Sequence, residues 1–280
     1  MPITSHYSDG RPVIAYCLAD MAGNVLAERC ADALFYAAST IKLGVLVAVI
    51  QAVERGELTL DQQLASTHTF TSAAGNGAAF SFDPEEFDGG MPPTGTLLPL
   101  REVLSRMISV SSNEATNMAV GLVGLAAVNA ALQACGAASS RMERLIGDLD
   151  ALAAGLTHEV TARDLVALMR AIRGGSAAGP EHTDLMLGWL AAQEFPIIGA
   201  ELDTAGVGAA WGSKSGWVTG IQHDVAYIVT ADCGSSAGYL LAVCTRGFDD
   251  ADASEAIRTV SRLAWDLMLR TEPPAALPAR

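Results

Sequence analysis

Ser39 and Lys42 stand three positions apart at the start of a strongly apolar run, residues 39–50. If that run is helical, the hydroxyl and the amine share one face a turn apart, and the amine can take the hydroxyl's proton. Two further short motifs follow in the chain, Ser111-Ser112-Asn113 and Lys214-Ser215-Gly216. Acyl transfer through a serine needs a nucleophile, a base, a proton path to the leaving group and donors for an oxyanion. The three motifs contain all four. Ser39 is the candidate nucleophile and Lys42 the base, kept partly neutral by desolvation and by the charge of Lys214. Ser111 can relay a proton, and Asn113 can orient Lys42 or hold a substrate amide. Gly216 lets an extended acyl substrate approach a strand edge, and the backbone N–H groups of Ser39 and Trp217 are the candidate oxyanion donors. Taken singly, Ser39 and Ser111-Ser112-Asn113 read as helix N-caps and Lys214 as a solvated strand lysine. Their order and setting together favour the chemical reading.

The positioning elements can be read from periodicity. Residues 11–20 and 24–29 read as strands joined by a turn at Met21-Ala22-Gly23, and a helix is expected from Ser39 to about Arg55, stopped by Gly56. Residues 66–95 form a long stretch rich in Gly, Ser, Thr and Pro, which Phe80, Phe82 and Phe87 can pin down. Apolar spacings of three and four predict helices over 100–107, 115–123, 125–134, 161–172 and 183–192. Strands return at 208–216, 224–231 and 239–246, with a turn at 232–235. A closing amphipathic helix spans 253–269, and Pro273-Pro274 marks a frayed tail. Strands at both ends with helices between imply one sheet built from the two termini, packed against an all-α insertion.

The 280 residues carry 17 Lys+Arg against 31 Asp+Glu, a net charge of −14, and half are hydrophobic. That balance suits neither a phosphate backbone nor an anionic membrane surface, so neither nucleic acid nor membrane is expected as a partner; the expected partner is a small-molecule acyl substrate. The apolar run 43–50 is too short to span a bilayer. The amino terminus shows no basic and apolar secretory pattern, and five scattered cysteines suit reduced thiols, so a cytoplasmic location is expected. Neither cysteines nor histidines have metal-ligand spacing, so no metal is expected.

With these motifs the chain resembles the class A β-lactamases and the wider penicillin-recognising serine hydrolases. The likeness rests on Ser39-Thr40-Ile41-Lys42, on residues 107–117 around Ser111-Ser112-Asn113, on 160–165, and on 211–220 around Lys214-Ser215-Gly216. The resemblance implies a β-lactamase-like α/β fold: an antiparallel sheet from both termini flanked by helices, with an all-α lobe inserted. It implies a single domain over 1–275, with an α/β lobe from 1–60 and 205–275 and a helical lobe from 61–204. It also implies an acyl-Ser39 intermediate, no metal or organic cofactor, and carboxylate binding by Lys214 and Ser215. Asn117 looks like the structural asparagine that follows the second motif.

Three departures stand out. Ser112 replaces the family's Asp, Ser215 replaces Thr, and the loop before Val160 lacks the Glu that activates the deacylating water. No Glu falls in register in 144–152, and Glu143 is out of register; Asp148 or Asp150 could substitute, although a surface charge or a salt bridge to Arg144 is the plainer reading. Weak deacylation is therefore expected. His158 and His223 read as satisfied surface histidines, Trp211 as core, and Trp217 as a candidate cleft wall. Beside hydrolysis of an ester or amide, a β-lactam included, two alternatives stay open: transacylation to an amine or alcohol, and a non-catalytic sensor of acyl ligands.

Overall fold

A computed structural model describes residues 3–230 and 238–271; the turn expected at 232–235 and the tail at Pro273-Pro274 lie outside the described residues. Five strands, β1 (Val13–Asp20), β2 (Val25–Arg29), β3 (Ala210–Val218), β4 (Ile221–Val229) and β5 (Gly238–Arg246), build one sheet. Their order is β3-β4-β5-β1-β2, with every pairing antiparallel. Side chains alternate across the pleat, and the central strands β4 and β5 are buried on both faces while the edge strand β2 is mostly exposed. Ala15, Cys17, Ala242 and Cys244 join a large core with the central helices, while Leu18, Leu241 and Val243 join a second core with Ile198, Leu202 and Ile257.

Among the described residues there are eight α-helices, of which α5 to α8 pack on the sheet: α1 (Lys42–Glu54), α2 (Leu100–Ser109), α3 (Asn113–Ala134), α4 (Leu149–Ala153), α5 (Ala162–Arg173), α6 (Pro180–Ala191), α7 (Ile198–Thr204) and α8 (Asp250–Thr271). Helix α1 is buried from Lys42 to Ile50, as its unbroken apolar run requires. It packs tightly on α3: a Cβ at Gly44 would stand 2.6 Å from the Leu132 side chain. The expected helices over 115–123 and 125–134 meet within α3 at Gly124, whose φ of 77° and ψ of 156° break the helix. By length and composition α3 could cross a membrane, but this kink interrupts it and half of its most apolar window is buried.

Two connecting segments lie near the residues that carry the three motifs. Residues 66–95 contain a short hairpin, Thr69–Thr71 against Ala79–Ser81, whose Phe70, Phe80 and Phe82 rings pack 6.0 to 6.3 Å apart. A second small ladder pairs Arg141–Met142 with His158–Val160, and the latter with Phe35–Tyr36. That ladder delivers the chain into the residues that present Ser39, with Ala37 N–H donating to His158 O at 3.1 Å.

Candidate active site

Ser39 does not begin a regular α-helix as expected. It sits in a 3₁₀ turn, Ala38–Ile41, from which α1 continues at Lys42. Ala38 holds φ +45°, a conformation rare outside glycine, which redirects the chain immediately before the serine. The Ser39 side chain makes no capping bond, and its half-buried hydroxyl opens onto a cleft of about 730 Å³. Across that cleft stand Ser111, Asn113, Phe87, Phe195 and Trp217.

Of the two serines in the middle motif, each does a different job. Ser112 is the cap of α3, accepting from Ala115 N–H at 3.2 Å. Ser111 is left in the positive-φ region at +60°, and its hydroxyl is held between two amines. Lys42 Nζ lies 3.2 Å from Ser111 Oγ and Lys214 Nζ 3.1 Å from it. Lys42 also donates to Ser111 O at 2.5 Å and to Asn113 Oδ1 at 2.9 Å. Among the described residues Lys42 Nζ has no hydrogen bond to Ser39 Oγ; its contacts run to the middle motif.

Both amines are wholly buried. Burial, with the charge of Lys214 added, pushes Lys42 well below the ordinary lysine range, against a weaker opposing pull from Glu114 and Asp88. Burial brings Lys214 down to about 7, and Asp224 behind it works in the other direction. Asp224 is itself raised to about 6 by burial, despite accepting from Ile197 and Ile198 N–H at 2.8 Å each. Burial and the neighbouring Lys214 charge together favour the neutral form of Lys42.

Strand β3 carries the third motif past Ser39. A Cβ at Gly216 would lie 2.6 Å from Ser39 N and 2.9 Å from Thr40 N, so only glycine lets the strand come this close. Lys214 donates to Ser215 O at 2.7 Å, while Ser215 Oγ is buried without a partner. Trp217 is 44% exposed and meets Phe195 edge-on at 5.3 Å, forming one lip of the cleft. Trp211 is only partly buried, packing on the second core and bonding Asp203 through its indole at 3.1 Å.

The loop before Val160 corrects several expectations. Asp148 is neither a surface charge nor a partner of Arg144. It is fully buried, accepting from Ser72 Oγ, Ala73 N–H and Ala151 N–H at 2.8, 2.7 and 3.0 Å. Its lone pairs are spent on capping α4 and anchoring the 66–95 segment. Asp150 is exposed on α4. Asn117 clamps the loop to α3 by exchanging two 2.9 Å hydrogen bonds with the backbone of Ile146, an apolar residue. His158 and His223 are both completely buried rather than at the surface. His223 Nε2 lies 2.9 Å from Tyr36 O, while its Nδ1 lies 2.7 Å from Gln222 O and 3.2 Å from Thr245 N, so the ring ties the strand leading to Ser39 to the sheet.

Sequence reasoning missed Glu114, Asp88 and Arg106. Glu114 is buried beside the cleft, accepting from Asp88 N–H at 2.9 Å and approaching His68 at 3.4 Å. Asp88 is gripped through two bonds by Arg106, one of them 2.7 Å. These contacts tie the 66–95 segment to the middle motif; the one available signal was a carboxylate placed directly after Asn113, in the first turn of a helix.

The geometry can be set beside known proteins. Its closely matched solved relatives include the β-lactamase from Sphaerobacter thermophilus DSM 20745, 27% identical with a TM-score of 0.77 over 94% of each chain. PBP-A is 25% identical with a TM-score of 0.74, over 92% of this chain and 91% of its own. A PBP-A mutant, matching to the same extent, has been solved as an acyl-enzyme complex with penicillin G. Comparison with curated protein sequences finds no match. The profile of the beta-lactamase enzyme family matches residues 6–268, nearly the whole chain. The chain, with its β-lactamase fold, belongs to that family of serine hydrolase-type proteins.

Proposed function

We propose that this protein takes an acyl group from an ester or amide onto Ser39 and releases it slowly. The observation that carries this reading is the Ser111 hydroxyl held between the Lys42 and Lys214 amines, 3.2 and 3.1 Å away, beside the free Ser39 hydroxyl. A neutral Lys42 that donates to Ser111 O and Asn113 Oδ1 keeps its lone pair for a hydroxyl proton. Ser39 Oγ attacks the carbonyl carbon, its proton passes to Lys42, and the carbonyl electron pair moves onto oxygen. The N–H groups of Ser39 and Trp217 hold that oxyanion, each contributing about 3 kcal/mol. When the intermediate collapses, the leaving nitrogen or oxygen takes the Ser111 proton, and Lys42 restores it. Asn113 positions Lys42 and offers its amide to the substrate, Gly216 and Trp217 present the strand edge, and Lys214 and Ser215 receive a substrate carboxylate.

Release is the weak step. Asp148 is committed to N–H and O–H donors, Asp150 faces solvent, and Ile146 has no basic atom. Stopped-flow mixing with a chromogenic cephalosporin tests both halves. A burst of about one equivalent followed by slow turnover is expected; fast steady turnover without a burst contradicts slow release, and no reaction in Ser39-dependent fashion with any activated ester or lactam contradicts the acyl-enzyme.

A transacylase reading has its own support. Glu86 and Glu194 line the cleft, and among the described residues neither forms an ion pair. Exposed carboxylates at the mouth raise the local concentration of a cationic amine, which could intercept the acyl group before water. Product analysis with added amines separates the two outcomes. A cytoplasmic setting suits the thiols: Cys17, Cys135 and Cys244 are buried and Cys30 exposed, all uncrosslinked.

A further inference from the structure

Outside the cleft, the least explained charge in the molecule is Arg144. Its side chain is 1% exposed, among the largest fully buried side chains. No carboxylate among the described residues lies within ion-pair distance. Its partners are neutral: Nη1 donates to Leu145 O at 3.2 Å, and Nη2 to the phenol oxygens of Tyr36 and Tyr7 at 3.0 and 3.5 Å. The guanidinium carbon stands 5.7 Å from the Tyr36 ring centre, and Nε has no partner. The nearby acidic residues in sequence turn elsewhere: Glu143 and Glu159 approach Arg141 at 3.4 and 2.6 Å.

Beside this charge lies His158, wholly buried, with neither ring nitrogen hydrogen-bonded. Its ring centre is 5.8 Å from that of Tyr36, and Tyr7 stacks on the same tyrosine at 3.9 Å. Guanidinium N–H groups only donate, the phenols donate as well as accept, and a neutral imidazole supplies another N–H. A guanidinium does not neutralise itself by losing a proton, so its burial calls for a counter-charge that one carbonyl and two phenols do not provide. Water could balance hydrogen bonds here but not charge.

We propose that Arg144, His158, Tyr36 and Tyr7 form an internal binding site for a small monovalent anion, of the size of chloride or formate. The site joins the 141–160 loop to the segment that leads into Ser39. Arg144 leads into Leu145 and Ile146, the residue clamped by Asn117, and Tyr36 leads through Ala37 and Ala38 to Ser39. An anion held there braces the 141–160 loop against the strand that presents the serine. This inference is independent of the proposed chemistry, because its readout is stability.

Thermal unfolding of the full chain is followed while chloride, bromide or formate replaces gluconate at constant ionic strength. A ligand that binds only the folded state raises Tm as its concentration passes its dissociation constant. Tm is expected to climb by a few degrees with the small anions and not with gluconate, and the climb should vanish in Arg144→Met. The lower half-saturation concentration identifies whether a halide or a carboxylate fits better. A Tm indifferent to anion identity, or a climb undiminished in Arg144→Met, overturns the proposal. Should that variant not fold, bromide-soaked wild-type crystals decide. An anomalous peak within hydrogen-bond distance of Arg144 Nε supports the site, and a water with no anomalous signal there refutes it.

Discussion

Replacing Lys214 with Met removes one positive charge from a buried position while keeping most of the side-chain volume. Lys214 and Lys42 each stand just over 3 Å from the same Ser111 oxygen. Their nitrogens therefore lie within about 6 Å of each other, where unit charges at an effective dielectric near 20 repel by about 3 kcal/mol, equivalent to about 2 pH units. Lys214 is charged below about pH 7, so this repulsion acts on the acid side. There it discourages protonation of Lys42 and keeps its amine neutral. Without it, the acid limb of the acylation rate should move to higher pH by up to about 2 units, costing up to about 100-fold at pH 6 beyond any loss on the alkaline plateau. Stopped-flow acylation from pH 5 to 10 with a chromogenic ester reads the limb directly. An unshifted limb with a uniform loss at every pH would refute the coupling and leave Lys214 as a substrate contact only.

Other perturbations test other parts of the site. Ile146→Glu places a carboxylate at the clamped loop position and should speed breakdown of the acyl-enzyme by at least about 10-fold, read as the steady rate after the burst. Gly216→Ala drives a methyl group to 2.6 Å from Ser39 N and should lower acylation by about 100-fold or more, with Tm shifted far less than activity. Asp148→Ala leaves Ser72 Oγ and two backbone N–H groups without an acceptor and should cost about 2–4 kcal/mol in urea unfolding. Burial lowers His223 from 6.5 to about 4, so its contribution to stability is intact above pH 6.5 and is lost as pH falls toward 4. Asp224, raised to about 6, acts with the opposite sign between pH 6 and 3.8. The acid loss attributable to His223 is thus the difference between wild type and His223→Gln, about 3 kcal/mol at most, and equal pH dependence in the two proteins would contradict it.

Much of the framework could be read before any coordinates. Apolar runs located β1, β2 and β5 to within a residue or two of their ends. The split at Gly124 was legible as two apolar helical runs with a glycine between. The three motifs were legible because each is short and local. What escaped is long-range and polar. Nothing near Asp148 says that Ser72 and Ala73 will donate to it from the far end of a long segment. His158 and His223 look like surface residues because burial of a histidine is decided by neighbours from other strands. Ser39 and Lys42 sit at the expected spacing, yet the amine is held by Ser111 O and Asn113 Oδ1, and the chain enters through a 3₁₀ turn and the left-handed Ala38 rather than a plain helix start.

The central claim concerns a covalent bond to one oxygen, and intact-protein mass spectrometry detects that bond. Wild-type protein and Ser39→Ala are each incubated with penicillin G and, separately, with an activated aryl ester, then quenched over minutes to hours. A single added acyl mass on the wild type, lasting through the series and absent from Ser39→Ala, is the result expected. An unmodified wild type with both reagents, or an adduct that survives loss of the Ser39 hydroxyl, contradicts it.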